Sequence, residues 1–358
     1  MSIETISYLN ENGELSPSYS NQIPDEVLVK GYKAMMTTRL VDEKMISLQR
    51  EGIITFAMSA LGEEACAVAS AAALDIGDWM YPQYREAGIM FWRDFSILDY
   101  VQHMFGNAAD LTLGRQMPNH FGSRAINVVT VSSPIGTKIP HVAGCAYAMK
   151  LQKDPHIAIG YFGEGATSEG DFHAGLNFGA VLHVPAIFFC RNNGYAISTP
   201  CSEQFASDGI APKGIGYGMK AYRVDGNDFF AVFDVVVKAR KECLAGKGPI
   251  LIEAMTYRLG AHSTSDDPSQ YRGDSEVALK KTKDPMIRLR KYLEAKGLWD
   301  EQKEQHLISS TIQIINEAIE VAKKTPKPPL KSIVEHVYFE VPEHLLEQYN
   351  EIKTFYPE

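Results

Sequence analysis

An α/β fold, a parallel sheet flanked by helices, is predicted by three observations. Residues 156–198 read as strand, helix, strand, and residues 221–257 repeat that order. The apolar runs of both units are short, unbroken and bounded by glycine or proline, as in strands buried on both faces. Polar residues gather just after the first two of these runs, where open parallel sheets place their ligands. An N-terminal arm and a C-terminal helical extension complete the expected architecture.

The elements follow in chain order. Residues 1–24 are polar and expected to form an irregular arm. Pro24, Asp25 and Glu26 then open a long helix that runs towards Glu51 and Gly52, with proline near its start and glycine at its end. Residues 62–74 (GEEACAVASAAAL) are rich in small side chains and read as a tightly packed helix. A polar cluster, DWMYPQYREAG, spans residues 78–88 and puts Gln83, Tyr84 and Arg85 on a loop leading to a helix. Residues 114–122 form a loop in which His120 has no ligand-spaced neighbour, which favours a structural histidine. Residues 128–131 are a short strand, SSPIGTKIP is a turn, and residues 141–151 are a helix.

The central unit reads HIAIGYFGEGATSEGDFHAGLNFGAVLHVPAIFFCRNNGYAIS. Its first strand ends at a glycine. Thr167 and Ser168 are candidate N-caps, with acids Glu169 and Asp171 beside them. Phe172, Leu176, Phe178, Ala180 and Val181 suit a packed helix, Pro185 bars its continuation, and residues 186–190 are the second strand. Further strands are expected at 221–225 and 249–257, with a helix at 229–244 between them. The polar loop 258–275 is long enough to be functional or mobile. Helices fill 284–324 before KTPKPP breaks them and a tail follows.

Glu164 follows the first strand of the central unit; Arg191, Asn192 and Asn193 close the second. A carboxylate and an amide oxygen are hard ligands suited to Mg²⁺, which shares its shell with phosphates. Gly165 allows close backbone approach to a phosphate, the helix start favours its charge, and Arg191 could neutralise it further.

Composition is that of an ordinary globular chain, 45% hydrophobic and 22% charged over 358 residues. The formal charge of −9 argues against nucleic acid or an anionic membrane as the main partner. Five cysteines occur without a CxxC pair, which fits free thiols in a reducing compartment. No run approaches a membrane span. The N-terminus lacks the basic and apolar regions of a signal peptide and the arginines of a transit peptide. The expected location is the cytoplasm, or the mitochondrial matrix if a presequence has been removed.

GEG, a spacer of 26 residues and then Asn192-Asn193 resemble the thiamine diphosphate motif, in which Gly-Asp-Gly precedes Asn-Asn. Glu164 stands where that motif has aspartate; it keeps the carboxylate and lengthens its reach. With PQYREAG, RQMPNHFG, SSPIGTKIP, YRLGAHSTSDDPSQYR and PKPPL, nearly the whole chain resembles the α subunits of branched-chain 2-oxo acid dehydrogenases, decarboxylase component. Pyruvate and acetoin dehydrogenase α subunits share the motif and remain alternatives, as does a nucleotide-binding regulator without the cofactor.

The resemblance implies a thiamine diphosphate-binding α/β domain at 25–325, between an arm at 1–24 and a tail at 326–358. It implies that Gln83, Tyr84 and Arg85 reach the diphosphate and that Gly163, Gly165, Ala166, Arg191 and His262 also bind the cofactor. Ser133 and Ile135 would hold the aminopyrimidine, Ile135 forcing the bent cofactor conformation. Glu164, the Asn193 side chain and the Tyr195 backbone oxygen would ligate Mg²⁺. His262 is the expected catalytic residue, Phe56 a substrate-pocket residue, and Ser263 matches a regulatory phosphoserine of mitochondrial relatives. The activating glutamate of this superfamily lies on a second α/β domain, for which the chain has no room. A separate β subunit, a heterotetramer of two α and two β chains, and acyl transfer to the lipoyl domain of an acyltransferase are therefore expected. Lys138 departs from the family, where a glutamine helps ligate potassium on the loop 132–137. Its ammonium either points to solvent or takes the ion's place, since lysine has no acceptor.

Overall fold

The computed structural model describes residues 3–356; the outermost two positions of the expected arm and of the expected tail lie outside the described residues. The chain begins with β1 (Thr5–Ile6), α1 (Asp25–Arg50), α2 (Glu64–Ala72), β2 (Trp79–Tyr81), α3 (Ala87–Trp92), α4 (Ile97–Phe105) and α5 (Lys138–Gln152). The central unit is β3 (Ala158–Gly163), α6 (Gly170–Val181) and β4 (Ala186–Asn192). A small hairpin of β5 (Tyr195–Ala196) and β6 (Thr199–Pro200) leads to α7 (Cys201–Gln204) and α8 (Ala211–Gly216). The second unit is β7 (Lys220–Asp225), α9 (Phe229–Leu244) and β8 (Ile250–Met255). Helices α10 (Asp274–Lys281), α11 (Pro285–Ala295), α12 (Glu301–Lys324) and α13 (Glu343–Phe355) close the chain.

Six strands form one sheet in the order β1-β7-β8-β4-β3-β2, and every pair is parallel. β4 is buried at every position, which is why its sequence is apolar from Ala186 to Cys190, ahead of the polar Arg191 and Asn192 at its end. Strand geometry sends alternate residues to opposite faces. Ile159, Tyr161, Ile187 and Phe189 enter one core with α1, α2 and α9. Ala158, Phe162, Ala186 and Phe188 enter the other with α5 and α6. Burial of each large side chain contributes about 1.5–3 kcal/mol. The register pairs Gly163 with Arg191, so the polar ends of β3 and β4 lie side by side.

Four expectations need correction. The arm is not irregular throughout: Thr5 and Ile6 pair with Arg223 and Val224 as an edge strand. Asp228 draws the following residues in, accepting from the N–H groups of Tyr8 and Leu9, and Leu9 is buried. Residues 128–131 form only isolated bridges, Val128 with Met80 and with Ser123. The run is held instead against 121–123, and a side chain at Gly122 would strike the Thr130 backbone at 2.5 Å. Thr167 and Ser168 do not cap α6; they lie in a 3-10 turn from Glu164 to Ser168, and Glu169 holds the N-cap position. The Thr167 hydroxyl is taken by the Glu164 carbonyl at 2.8 Å. Phe178 and Val181 are exposed, because α6 packs through Phe172, Gly175, Leu176 and Gly179. The segment after Lys324, expected only as a tail, carries α13, which starts after Pro342 with an acid in its first turn.

Candidate functional site

A cleft of ≈ 180 Å³ opens at the carboxyl ends of β3 and β4. It brings together Gln83, Tyr84, Arg85, Ile135, Gly163, Glu164, Gly165, Ala166, Arg191, Asn193, Tyr195 and His262, all singled out from the sequence. A larger hollow of ≈ 990 Å³ lies between the arm and the ends of β7 and β8. Its cations Lys283 and Arg288 face Glu11 and Asp225, so the smaller cleft holds the more reactive set.

The chain positions each side chain by local means. Glu164 begins the 3-10 turn directly after β3 and is 1% exposed. Its Oε2 accepts from the Asn193 backbone N–H at 3.2 Å, which ties the two strand ends together. Burial raises the Glu164 pKa above the ordinary carboxylate value, and the nearby Glu63 adds to the rise. Gly194 adopts φ +91°, a conformation that favours glycine; it turns the chain from Asn193 into β5. A Cβ at Gly165 would sit 3.0 Å from that of Ala196, so only glycine leaves the backbone there uncrowded. Gln83 is fixed at both ends: its Oε1 accepts from Gly163 N–H at 3.0 Å, and its own N–H donates to Glu86 at 2.7 Å.

The opposite wall is cationic. Arg85 donates to the carbonyl oxygens of Ser59 and His262, each at 2.6 Å. The His262 Nδ1 lies 3.0 Å from Arg85 Nη2 and 3.4 Å from Arg258 Nη1. Burial first, then these two guanidiniums, lower the His262 pKa to about 4. The ring is therefore neutral near pH 7, with Nδ1 accepting and the proton on Nε2. Asp266 accepts from the His262 backbone N–H at 2.6 Å. Arg272 donates to the carbonyls of Arg258, Leu259 and Gly260, so the start of the long loop 258–275 is tied down.

Arg191 is engaged differently from the sequence expectation. Its Nε donates to Glu86 and its Nη1 to Glu63. All three side chains are buried. Burial would raise the Glu63 pKa, but Arg191 and Arg85 outweigh it and hold the carboxyl below its ordinary value. Burial wins at Glu86, whose pKa is raised despite Arg191.

Glu63, Glu86 and Arg258 were missed in the sequence. Glu86 directly follows Gln83-Tyr84-Arg85, and Glu63 is an acid in an otherwise small-residue segment; those were the available signals.

Four expected residues lie outside the cleft lining. Ser133 is exposed, and its Oγ lies 2.8 Å from His120 Nε2. His120 Nδ1 lies 3.0 Å from the Pro118 carbonyl, so Nδ1 donates there and Nε2 accepts from Ser133. The structural histidine thus orients a predicted site residue. Phe56 is half-buried on the segment before α2. Ser263 lines a separate hollow of ≈ 190 Å³ with Ser59, Gly260 and Ala261. Lys138 is buried, not solvated, and its Nζ donates to the Thr130 carbonyl; burial lowers its pKa to about 8.

Comparison with known proteins gives a consistent result. Residues 32–331 match the family described as dehydrogenase E1 component. The chain is 48% identical over 335 residues to the Homo sapiens 2-oxoisovalerate dehydrogenase subunit alpha, mitochondrial, covering 93% of this chain and 75% of that protein. It is 46% identical over 353 residues to the protein of the same name in Dictyostelium discoideum, covering 98% and 80%. It is also 46% identical over 342 residues to 2-oxoisovalerate dehydrogenase subunit alpha 2, mitochondrial, of Arabidopsis thaliana, covering 95% and 72%.

Proposed function

The chain belongs to the dehydrogenase E1 component family, and we propose that it is the alpha subunit of a thiamine diphosphate-dependent, branched-chain 2-oxo acid dehydrogenase. The reaction is oxidative decarboxylation, with the acyl fragment passed to a lipoyl group on an acyltransferase partner. The observation that supports this best is the pairing, within one cleft, of hard oxygen donors with a cationic wall.

The donor set fits a magnesium–diphosphate group. Glu164 offers a buried carboxylate and Asn193 an amide oxygen on the adjoining strand end. The Tyr195 backbone oxygen completes the protein's share of the ligands. Among the described residues no group of three or more His, Cys, Asp or Glu side chains is arranged for a metal. A cation here would draw the other half of an octahedral shell from phosphate and water, as suits Mg²⁺. Arg85 and Arg258 line the cleft with positive charge, Arg191 is already paired with Glu63 and Glu86 and offers only its Nη2, and the start of the 3-10 turn at Gly165 and Ala166 would offer backbone N–H groups to an anion. Ile135 provides an aliphatic wall. His262, neutral with its proton on Nε2, can donate to a substrate or phosphate oxygen without adding charge.

When bound, thiamine diphosphate supplies the nucleophilic carbon and the electron sink that loss of carbon dioxide requires. The protein's part is to bind, orient and exclude water.

The reading includes a β subunit as partner, in a heterotetramer. α6 is apolar on both sides, with Phe172 and Leu176 buried and Phe178 and Val181 exposed, and such a helix is normally covered all round. The substrate class comes from the relatives' names; a pyruvate or acetoin dehydrogenase subunit is the competing reading. Two locations suit this function: the cytoplasm, and the mitochondrial matrix, where the names of the relatives place those proteins.

The test is reconstitution with the β subunit. The assembled complex should bind thiamine diphosphate only with Mg²⁺ and turn over 2-oxoisovalerate faster than pyruvate. The isolated chain should decarboxylate neither. Preference for pyruvate would transfer the assignment to the competing reading, and failure to bind the cofactor would overturn both.

A further inference from the structure

Glu63 occupies the N-cap position of α2 but makes no cap hydrogen bond. An acid at that position ordinarily accepts from the first free N–H groups of its helix. Here the carboxylate is 1% exposed and turned towards the cleft residues instead. It accepts from Arg191 Nη1 and from Asn193 Nδ2, the latter at 3.3 Å, and stands 3.9 Å from Arg85 Nε. One buried side chain thus touches three residues of the cleft, brought from the end of β4 and from the loop after β2.

We propose that Glu63 is the positioning residue of this site: its carboxylate sets the guanidinium plane of Arg191 and the amide orientation of Asn193 for a metal–diphosphate group. The proposal rests on the functional reading above and adds a residue to it.

Two geometric facts carry it. Arg191 is gripped on two edges, Nε by Glu86 and Nη1 by Glu63. A planar guanidinium held on two edges has no remaining rotational freedom. Among the described residues no acceptor takes its Nη2, and Arg191 lines the cleft. The free edge is therefore the one left for an anion.

Asn193 is the second fact. An amide has a donor end and an acceptor end, and its neighbours decide which way it faces. The Nδ2 group donates to Glu63 and Oδ1 accepts from the Tyr195 N–H at 3.2 Å; the second lone pair of Oδ1 is the one left to ligate a hard cation. Among the described residues Glu86 shares the grip on Arg191 but has no hydrogen bond to Asn193, so of the two acids Glu63 is the one that joins the anion half of the site to the metal half.

The experiment uses the α/β complex freed of cofactor. Thiamine diphosphate affinity is measured by calorimetry at low and at saturating Mg²⁺, for wild type, Glu63→Gln, Glu63→Asp, Arg191→Met and the double variant Glu63→Gln/Arg191→Met. Residues that orient ligands typically change affinity by about 10–100-fold when removed. Glu63→Gln is expected to weaken binding in that range, more at low Mg²⁺ than at saturation, because both halves of the site are released. Glu63→Asp keeps the charge and should recover part of the loss. The double variant should lose less than the product of the two single losses, since Glu63 acts through Arg191. If Glu63→Gln does not assemble, Glu63→Asp carries the test through its own Mg²⁺-dependent loss. Wild-type affinity in the assembled Glu63 variant, or losses that are equal at both Mg²⁺ levels and fully multiplicative with Arg191→Met, would overturn the proposal. A wild-type complex that binds no cofactor would overturn the functional reading instead, so the two failures are distinct.

Discussion

Arg85 Nη2 donates to the backbone carbonyl of His262 at 2.6 Å and lies 3.0 Å from Nδ1 of the same residue. One guanidinium thus fixes both the backbone and the ring of a histidine within the polar loop. Because the ring turns its lone pair to Arg85 and Arg258, a proton on Nδ1 would be forced against two positive groups.

This arrangement has a pH signature. The His262 pKa is lowered to about 4 in the folded chain, by burial first and then by Arg85 and Arg258, against an ordinary value near 6.5. Between those values the unfolded chain binds more protons than the folded one. Stability from this group is therefore complete above about pH 6.5 and is lost as the pH falls towards 4. His262→Gln removes the group from the balance. Its Tm should fall less than that of wild type between pH 7 and pH 5; parallel Tm curves would count against a buried, neutral ring.

Glu164 leads to a second expectation. Its pKa is raised by burial, so the empty site bears a charge that the fold does not favour. Glu164→Gln should leave the Tm of the cofactor-free chain unchanged or higher. The same change removes the anion that Mg²⁺ requires, and thiamine diphosphate binding at low Mg²⁺ should weaken by about tenfold or more. Differential scanning of the complex with and without cofactor separates the two effects. Wild-type stabilisation by Mg²⁺ and cofactor in Glu164→Gln would remove Glu164 from the metal site.

The sequence and structure agree where local pattern is enough. The strands around 158–163, 186–192 and 250–255 were legible because a strand buried on both faces must be apolar at nearly every position. α9 was legible over its whole length, from Phe229 to Leu244. β1 was not, because two residues, Thr5 and Ile6, carry no periodicity and are placed by pairing with Arg223 and Val224, more than two hundred residues away. Phe178 and Val181 count as core by composition, yet their outer face is exposed in the single chain. Glu63 and Glu86 were illegible for a related reason. Each resembles an ordinary acid near the start of a helix, and only the distant Arg191 shows that both are buried counter-ions.

The C-terminal segment bears on assembly. Phe339 is fully exposed, and Val337 and Tyr338 are more than half exposed. α13 contains no buried residue. Apolar groups displayed together in this way mark an interaction surface. Phe339→Ala should weaken association with the β subunit by about 10–100-fold, from roughly 1.5–3 kcal/mol per buried large side chain. The Tm of the isolated chain should not change, since no described residue covers that ring. Sedimentation of mixtures of the two subunits would measure the first and calorimetry the second. Unaltered association would exclude this segment from the interface.

Lys138 tests how the loop before α5 is held. Its Nζ donates to the Thr130 carbonyl from a site where the residue is 7% exposed. That placement disagrees with a solvent-facing lysine and leaves the other expectation, an ammonium that stands in for a bound cation. At pH 7 the group is charged, since burial lowers its pKa only to about 8. Thiamine diphosphate affinity at pH 7 should then be indifferent to replacing K⁺ with Na⁺ at constant ionic strength. Lys138→Gln should make it K⁺-dependent. The sign of the pH effect follows from the lowered pKa. Above pH 8 the folded chain releases the proton while the unfolded chain, near 10.5, retains it. Folding is favoured by rising pH in that interval, yet the loop loses its positive charge. In Na⁺, raising the pH from 7 to 9 should therefore weaken cofactor binding in wild type while raising its Tm relative to Lys138→Gln. The variant, with no group titrating at this position, should show neither trend. Wild-type affinity that falls when K⁺ is withdrawn at pH 7 would mean that the tethered ammonium does not replace the ion.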